Sequence, residues 1–428
     1  MAASSRRAVV TGIGVLSAAG LDAASYWESL RAGRSGIRTI DGFDSSALPT
    51  RIAGQIRSFD PKKYVEKEAR KALRIMARTI QLGVAAAQLA LADSGIQKGR
   101  LDPTRFGIEF GSGLIATELD ELGDAANVSA NGQVGEVDLE KWGAEGLPLI
   151  PPLWMLKYLP NMLACHVSML HNAQGPNNSI TSSDVAGLLA MGEAFRILAR
   201  DEADFFLVGG AESKLNPLSL VRQCLFEALS RRNDEPEKAC RPFDRWRDGS
   251  VLGEGAGILA LEDLDHARRR GARIYAEVVG FGSAFDPDRS GRGLARAIRA
   301  ALKEAGVGLD DIDHVNAHGA GTVEGDAWEA RAINHVFIER RAAVPVFAAK
   351  SYIGNLGAAA ATTELAASLL GFKNNIVPIT LNYDEPDPAC PVDVVAGTAR
   401  PVRQEHVLKI SNTAMGQCAA LVCRNWAE

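Results

Sequence analysis

The chain repeats itself, and the repeat limits the folds open to it more than any other feature. ALADSGI at Ala90 leads into LDPTRFGIEFGSG, and ALKEAGV at Ala301 leads into LDDIDHVNAHGAG; in each case a helical pattern passes through Leu-Asp into a strand ending in glycine. GPNNSITSSDVAGLLAMGEAFRIL, from Gly175, is echoed by VPVFAAKSYIGNLGAAAATTELAASLL, from Val344, each a short strand running into an Ala-rich helix. A duplication offset by roughly two hundred residues predicts two α/β halves of one topology with a shared core rather than a flexible linker. The pseudo-symmetry boundary falls near Leu264, giving units 1–264 and 265–428.

Taken in order, Ala8 to Gly14 is a β-branched strand, Tyr26 to Ala32 a helix, Gly33 to Phe59 a long loop, Lys71 to Ser94 one strongly apolar helix and Phe106 to Gly111 a strand. Phe205 to Gly209 and Gly257 to Glu262 are buried strands that close the first half. Between Gly111 and Phe205, Leu114 to Pro152 is polar, rich in Gly and Asp, and weakly periodic. Such a long excursion predicts an interface or a cover over a site.

With 428 residues, 46% of them hydrophobic and 23% charged, the chain can bury a large core. A net charge of −5 predicts no nucleic-acid footprint. No apolar run approaches the ~18 to 20 residues of a membrane span, and MAASSRRAVVTG lacks the apolar stretch of a signal peptide. Cys165, Cys224, Cys240, Cys390, Cys418 and Cys423 have neither CxxC nor CxxH spacing, which points away from a zinc site or a disulfide framework. The expected compartment is the cytoplasm. The basic runs RRAVV, ARRRGAR and ERRAAV are expected to be solvated faces. Gly12 to Gly20 lacks GxGxxG with a trailing acid, so no nucleotide cofactor is implied.

Within Gly175 to Leu198 the residues through Ser183 are β-compatible, and from Val185 apolar residues recur as on a buried helix, with Gly187 and Gly192 permitting close approach. Asp184 is therefore expected on a strand-to-helix elbow, at a helix N-terminus that favours negative charge. Its structural role would be an N-cap accepting from Ala186 or Gly187, a contribution of ~1 kcal/mol. Its chemical role would be that of a group held where enzymes place nucleophiles.

VVTGIGVLS at Val9, KALRIMARTIQLGVAAAQLALADSG at Lys71, the elbow, PFDRWRDGSVLGEGAG at Pro242, NAHGAGT at Asn316 and KSYIGNLGAAAATTE at Lys350 together resemble the β-ketoacyl synthases of the thiolase fold, in particular the elongating synthases of fatty-acid and aromatic polyketide assembly. The resemblance covers nearly the whole chain. It implies a five-layer αβαβα arrangement, an active site where the halves meet and a two-fold dimer beside it. In that family a cysteine, in the pattern TACxSG, takes the acyl chain from an acyl carrier protein. Two histidines promote decarboxylation of the malonyl carrier protein and stabilise the enolate oxygen. The matching positions here are Asp184 for the cysteine, His318 for the first histidine and Asn355 for the second, with Lys350 and Glu364 matching the family's lysine and glutamate.

A carboxylate is a poor nucleophile toward a thioester, and the anhydride it would form lies uphill of the thioester. Loss of a nucleophile in other systems costs on the order of a million-fold in turnover. Two further departures agree. GSAFDPDRSGRG replaces the longer family segment of the type SADAYHMTAP, and Asn412-Thr-Ala-Met-Gly-Gln-Cys replaces the gate loop NSFGFGGTN. The pattern is similar to that of the chain-length factors, or KSβ subunits, of two-subunit polyketide synthases, which carry glutamine where this chain has Asp184. A non-condensing partner of a cysteine-bearing ketosynthase is the first expectation, as a heterodimer with that subunit or as a homodimer, working with an acyl carrier protein. The alternatives are a malonyl-carrier-protein decarboxylase using His318 and Lys350, and an active synthase whose nucleophile is another cysteine, Cys165 being nearest in sequence. His318 either keeps a catalytic role or hydrogen-bonds within the core. Trp154 and Cys165 are expected in the core or at the dimer interface.

Overall fold

Nine consecutive residues of β1 (Ala8–Leu16) are buried, so the sheet it begins must be covered on both faces. The computed structural model, which describes residues 6–130, 135–403 and 405–426, adds β2 (Phe106–Ser112), β3 (Asn177–Ile180), β4 (Phe205–Ser213) and β5 (Glu254–Asp263) to it, in the order β1-β5-β4-β2-β3. The second half contributes β6 (Ala276–Phe285), β7 (Ile312–Asn316), β8 (Pro345–Phe347), β9 (His406–Asn412) and β10 (Gln417–Asn425), in the order β6-β10-β9-β7-β8. Each half thus arranges five strands identically, and the second half adds a two-residue edge strand, Asp393–Val394, parallel to β8. In each, the first two pairings are antiparallel and the last two parallel. The duplication read from the sequence is a duplication of topology, and β1 joins the halves by pairing Ala8 to Val10 with β6.

Six helices complete the layers: α1 (Arg78–Ser94), α2 (Ala186–Ala199), α3 (Pro217–Phe226), α4 (Arg292–Ala305), α5 (Val323–Phe337) and α6 (Ala360–Asn374). Helix α1 packs Ile80, Val84 and Leu91 with Ile108, Leu207 and Ile258 of the first half's strands. Helices α4 and α5 pack Leu294, Ile298 and Trp328 with Val315, Ile410 and Val422 of the second half's strands. Between the sheets, α2 and α6 pack Leu188, Met191, Leu365 and Leu369 with strand residues of both halves, among them Val208, Leu261, Val407 and Leu421. The result is the αβαβα stack of the thiolase fold. Helix α6 is buried at every position from Ala360 to Phe372, and its polar members Thr362, Thr363 and Glu364 are held there in hydrogen bonds. The approach of this central layer is close enough that a Cβ on Gly210 would lie 2.2 Å from the Ala358 carbonyl oxygen.

Several elements differ from expectation. Lys71 to Ser94 is not one helix: Lys67–Ile75 is 3₁₀, and the α-helix starts at Arg78. The first segment buries no residue, and α-helix begins only where Thr79 and Ile80 enter the core, since packing of an apolar face supplies most helical stability. The Gly33 to Phe59 loop contains a short ladder pairing Arg38–Thr39 with Ile52–Ala53. The excursion holds a helix over Leu119–Ser129 and helical turns from Leu139 to Leu149; its residues 131–134 lie outside the described residues. The basic runs lie at the surface, with Arg7, Arg268, Arg269, Arg273 and Arg341 exposed, and some of their members are also ion-paired, Arg7 with Glu277, Arg270 with Glu262 and Arg273 with Asp93. Among the described residues, no helix is long and apolar enough to cross a membrane.

Candidate active site

Strand β3 ends at Ile180, a 3₁₀ turn spans Ser183–Val185, and α2 follows. Ser183 has φ +49°, a left-handed conformation that costs a non-glycine residue of the order of 1–3 kcal/mol and is held by its surroundings. Asp184 is not an N-cap: neither the turn nor α2 carries a side-chain cap. The tight corner turns its carboxyl instead into a cavity of about 800 Å³, whose wall also carries His318, Asn355, Arg247, Ser250 and Asn412. Burial pushes the Asp184 carboxyl up from its ordinary range; Lys214 and Lys350 oppose the rise, Glu212 adds to it, and a hydrogen bond from Asn355 again opposes it. Desolvation therefore outweighs the favourable helix terminus expected at this position.

Behind His318 lies a fully buried charge network. Lys350 Nζ donates to Glu364 Oε1 at 2.6 Å, to the His318 carbonyl at 2.8 Å and to His318 Nδ1 at 3.1 Å. Lys409 Nζ donates to Glu364 Oε2, to Asn316 Oδ1 at 3.0 Å and to the Ala317 carbonyl at 2.9 Å. Glu329 accepts from the backbone N–H of His318 at 2.6 Å and of Gly319 at 2.8 Å. Burial, then the positive charges of Lys350 and Lys409, hold the His318 pKa well below its ordinary value. With Nδ1 accepting from an ammonium, the neutral ring carries its proton on Nε2. His318 thus presents a fixed N–H donor to the cavity and no titrating acid.

Lys350 and Glu364 do not line the cavity; they act through His318 by setting its tautomer and orientation. Lys409, held at about 8 by burial against the pull of Glu364, was not singled out from the sequence. Its signal there was a lysine inside the apolar strand HVLKISN. Asn355 is clamped by its backbone, its N–H donating to the Val251 carbonyl at 2.7 Å and its carbonyl accepting from Gly253 at 2.8 Å, while Oδ1 accepts from the Gly357 N–H at 3.1 Å. Its amide can donate, but it has no titratable lone pair with which to relay a proton.

Three further charged groups surround Asp184. Lys214 Nζ lies 3.2 Å from Glu212 Oε1, and Glu212 Oε2 accepts from the Ala358 N–H at 2.6 Å. Glu212 first, then Asp184 and Glu227, raise the Lys214 pKa against burial. Glu212 is the penultimate residue of β4, Lys214 follows that strand and Glu227 follows α3, and no local pattern couples them to the elbow. None of the six cysteines lines the cavity. Cys165 sits on a separate helix, Met162–His171, and burial pushes the Cys390 and Cys418 thiols up to about 12. Among the described residues no cluster of His, Cys, Asp or Glu could hold a metal ion. A separate cavity of about 470 Å³, lined by Leu91, Ile96, Met169 and Leu170, contains none of the site residues described in this section.

The segments at 412–418 and after β6 are folded tightly. The first is a hairpin turn between β9 and β10, closed by Thr413 N–H to the Gln417 carbonyl at 3.0 Å and Gly416 N–H to the Thr413 carbonyl at 2.9 Å. The segment after β6 is pinned by Asp286, which accepts from Trp328 Nε1 at 2.8 Å and from the Gly291 N–H at 2.9 Å. Backbone and side-chain donors of this kind keep the Asp286 carboxyl below its usual range despite burial.

The sequence matches the β-ketoacyl synthase N-terminal domain over residues 5–267 and the β-ketoacyl synthase C-terminal domain over residues 275–384. It is 40% identical over 421 residues to the 3-oxoacyl-[acyl-carrier-protein] synthase 2 of Vibrio cholerae, covering 96% of this chain and 97% of that protein. It is 36% identical over 429 residues to the tetracenomycin polyketide synthase ketoacyl synthase alpha subunit of Streptomyces glaucescens, covering 98% and 97%. Among solved structures, the ishigamide ketosynthase/chain length factor superposes with a TM-score of 0.87 at 30% identity, over 99% of this chain and 100% of that one.

Proposed function

This chain belongs to the β-ketoacyl synthase family, and we propose that within it the chain is a non-condensing subunit, a chain-length-factor-like partner of a cysteine-bearing ketosynthase in polyketide or fatty-acid-type acyl elongation. One observation carries the reading: the elbow that should present a thiolate presents Asp184, and no thiol stands on the cavity wall to replace it. Asn355 in place of a second histidine, the closed hairpin at the gate and the pinned segment after β6 support it. An acyl carrier protein is the second partner, since the relatives named above include a synthase acting on that carrier.

Assembly is supported by the surface near the elbow. Strand β3 is the sheet's edge, and an unpaired edge is a template for another chain. The excursion, the short helix Trp154–Tyr158 with the Leu153 that precedes it, and the helix before β3 expose Leu119, Leu139, Leu153, Met155 and Met169. An obligate interface here would bury on the order of 2,000 to 5,000 Å² and leave little folded monomer. Co-expression with the cysteine-bearing synthase, then size exclusion and native mass measurement, is expected to yield a one-to-one complex. A stable monomer that ignores every synthase offered would overturn the proposal. The neutral His318 donor favours malonyl decarboxylation as a second reading, because a fixed N–H suits an enolate oxygen. Turnover of malonyl carrier protein by the isolated chain distinguishes it, since a pure partner leaves that substrate intact.

A further inference from the structure

Asp184 stands at a junction of cavities. The main cavity shares Asp184, Glu227, Ser250 and Asn355 with a small polar one of about 40 Å³. That one shares Ser183, Glu212, Lys214 and Gln223 with a third, of about 230 Å³, whose wall includes the exposed Leu114 and Arg222 beside α3. A charged side path therefore runs from the surface, past Lys214, to the Asp184 carboxyl. Buried polar atoms on these walls lack a hydrogen-bond partner from the protein: Ser250 Oγ, Asn412 Nδ2 and, beyond its ion pair with Lys214, Glu212 Oε1. Such atoms are ordinarily satisfied by water, and the 40 Å³ cavity exceeds the roughly 10–15 Å³ that holding a water molecule requires.

We propose that this path supplies water to Asp184, and that Asp184 is the general base in hydrolysis of an acyl thioester held in the main cavity. The inference goes beyond the pairing proposed above and does not depend on it. The water oxygen attacks the thioester carbonyl carbon while one of its protons passes to Asp184. The carbonyl π pair moves onto oxygen, where the Nε2–H of His318 stabilises it. Collapse restores the C=O bond and breaks the C–S bond, and the sulfur departs with the proton from Asp184. The products are a carboxylic acid and a free thiol, and no oxidant or reductant is needed. Attack by the carboxylate itself would yield an anhydride uphill of the thioester, whereas water as nucleophile avoids that intermediate. Lys214 is a positioning residue that favours the ionised, base form of Asp184; Lys350 and Asn355 act in the same sense, and Glu212 and Glu227 oppose them.

The test uses the purified full-length chain with octanoyl-pantetheine, following free thiol colorimetrically. Thiol release above the buffer rate is expected, with a loss of about 10²–10⁴-fold for Asp184→Asn, the usual worth of a general base. Lys214→Met is expected to lower the rate and move its acidic limb to higher pH, which a merely structural defect would not do. In ¹⁸O-water a single turnover should place one ¹⁸O in the octanoate and none in the peptide carrying Asp184. Melting curves establish that both variants are folded, and Ser250→Val, which narrows the path without touching a charge, should also slow release. No release above buffer by the unaltered chain, an Asp184→Asn rate equal to it, or ¹⁸O in Asp184 would each overturn the inference. Thiol release by a chain that pairs with no synthase would overturn only the pairing.

Discussion

Glu364→Gln is the most exposing test of the charge network behind His318. Among the described residues, Glu364 is the only carboxylate that both Lys350 and Lys409 touch, at 2.6 Å for the former, and all three side chains are buried to within 1% of completely. Glutamine keeps the volume and removes the charge, so two ammonium groups lose their shared counter-ion in a medium that cannot solvate them. Breaking a buried pair by removing one partner costs about 3–5 kcal/mol. For 428 residues the unfolding entropy is about 0.9 kcal/mol/K, so the melting temperature should fall by about 3–6 °C. Lys409→Met in the same chain removes the surplus charge, and the double variant should be less destabilised than the sum of the singles by about 2 kcal/mol, a coupling expected between members of one network. Differential scanning calorimetry of the four proteins measures this directly. A single variant melting within a degree of the parent, or strictly additive singles, would refute the reasoning.

Other outcomes follow from the same geometry. Asp184→Cys should leave the chain unable to form β-ketoacyl product from acyl and malonyl carrier proteins, because Asn355 relays no proton and the functional set acts as a unit; turnover within tenfold of an ordinary synthase would show that Asn355 matters less than argued. Burial, and then Glu193, raise Glu109 to about 8 from 4.5, with one carboxyl oxygen buried and unpartnered. A carboxyl raised on folding costs nothing below its unfolded pKa and destabilises progressively as pH rises toward the folded value, by roughly 3 kcal/mol between pH 4.5 and 7 at about 1.36 kcal/mol per unit. Glu109→Gln should therefore flatten stability over that window, and denaturant midpoints at several pH values would reveal a slope that persists. A maleimide reagent should label Cys165 and Cys224 in the native chain and spare the buried Cys240, Cys390, Cys418 and Cys423; early labelling of any of these four, followed by peptide mass, would contradict the packing described.

Much of the architecture was legible from short-range pattern. The paired echoes of ALADSGI and of the elbow pointed to two like halves, and the Ala-rich helix after the second strand echo was legible as α6, because burial leaves its period in the segment that is buried. The departures read at Asp184 and Asn355 rest on motifs only a few residues long, TSSDVAG and KSYIGN, which is why the sequence alone could suggest them. Other features required the tertiary structure. The end of the 3₁₀ stretch at Ile75 depends on where the core begins, which Lys71 to Ser94 does not record. The orientation of Asp184 depends on Ser183 adopting φ +49°, so a residue that looked like a cap faces a cavity. The ring proton of His318 is decided by Lys350, thirty-two positions away, and the protonation of Asp184 by Lys214, Glu212 and Lys350. Hydrophobic periodicity is a property of one segment, whereas charge interactions between buried groups depend on distance through a poorly polarisable interior, and those distances exist only once strands from both halves are brought together.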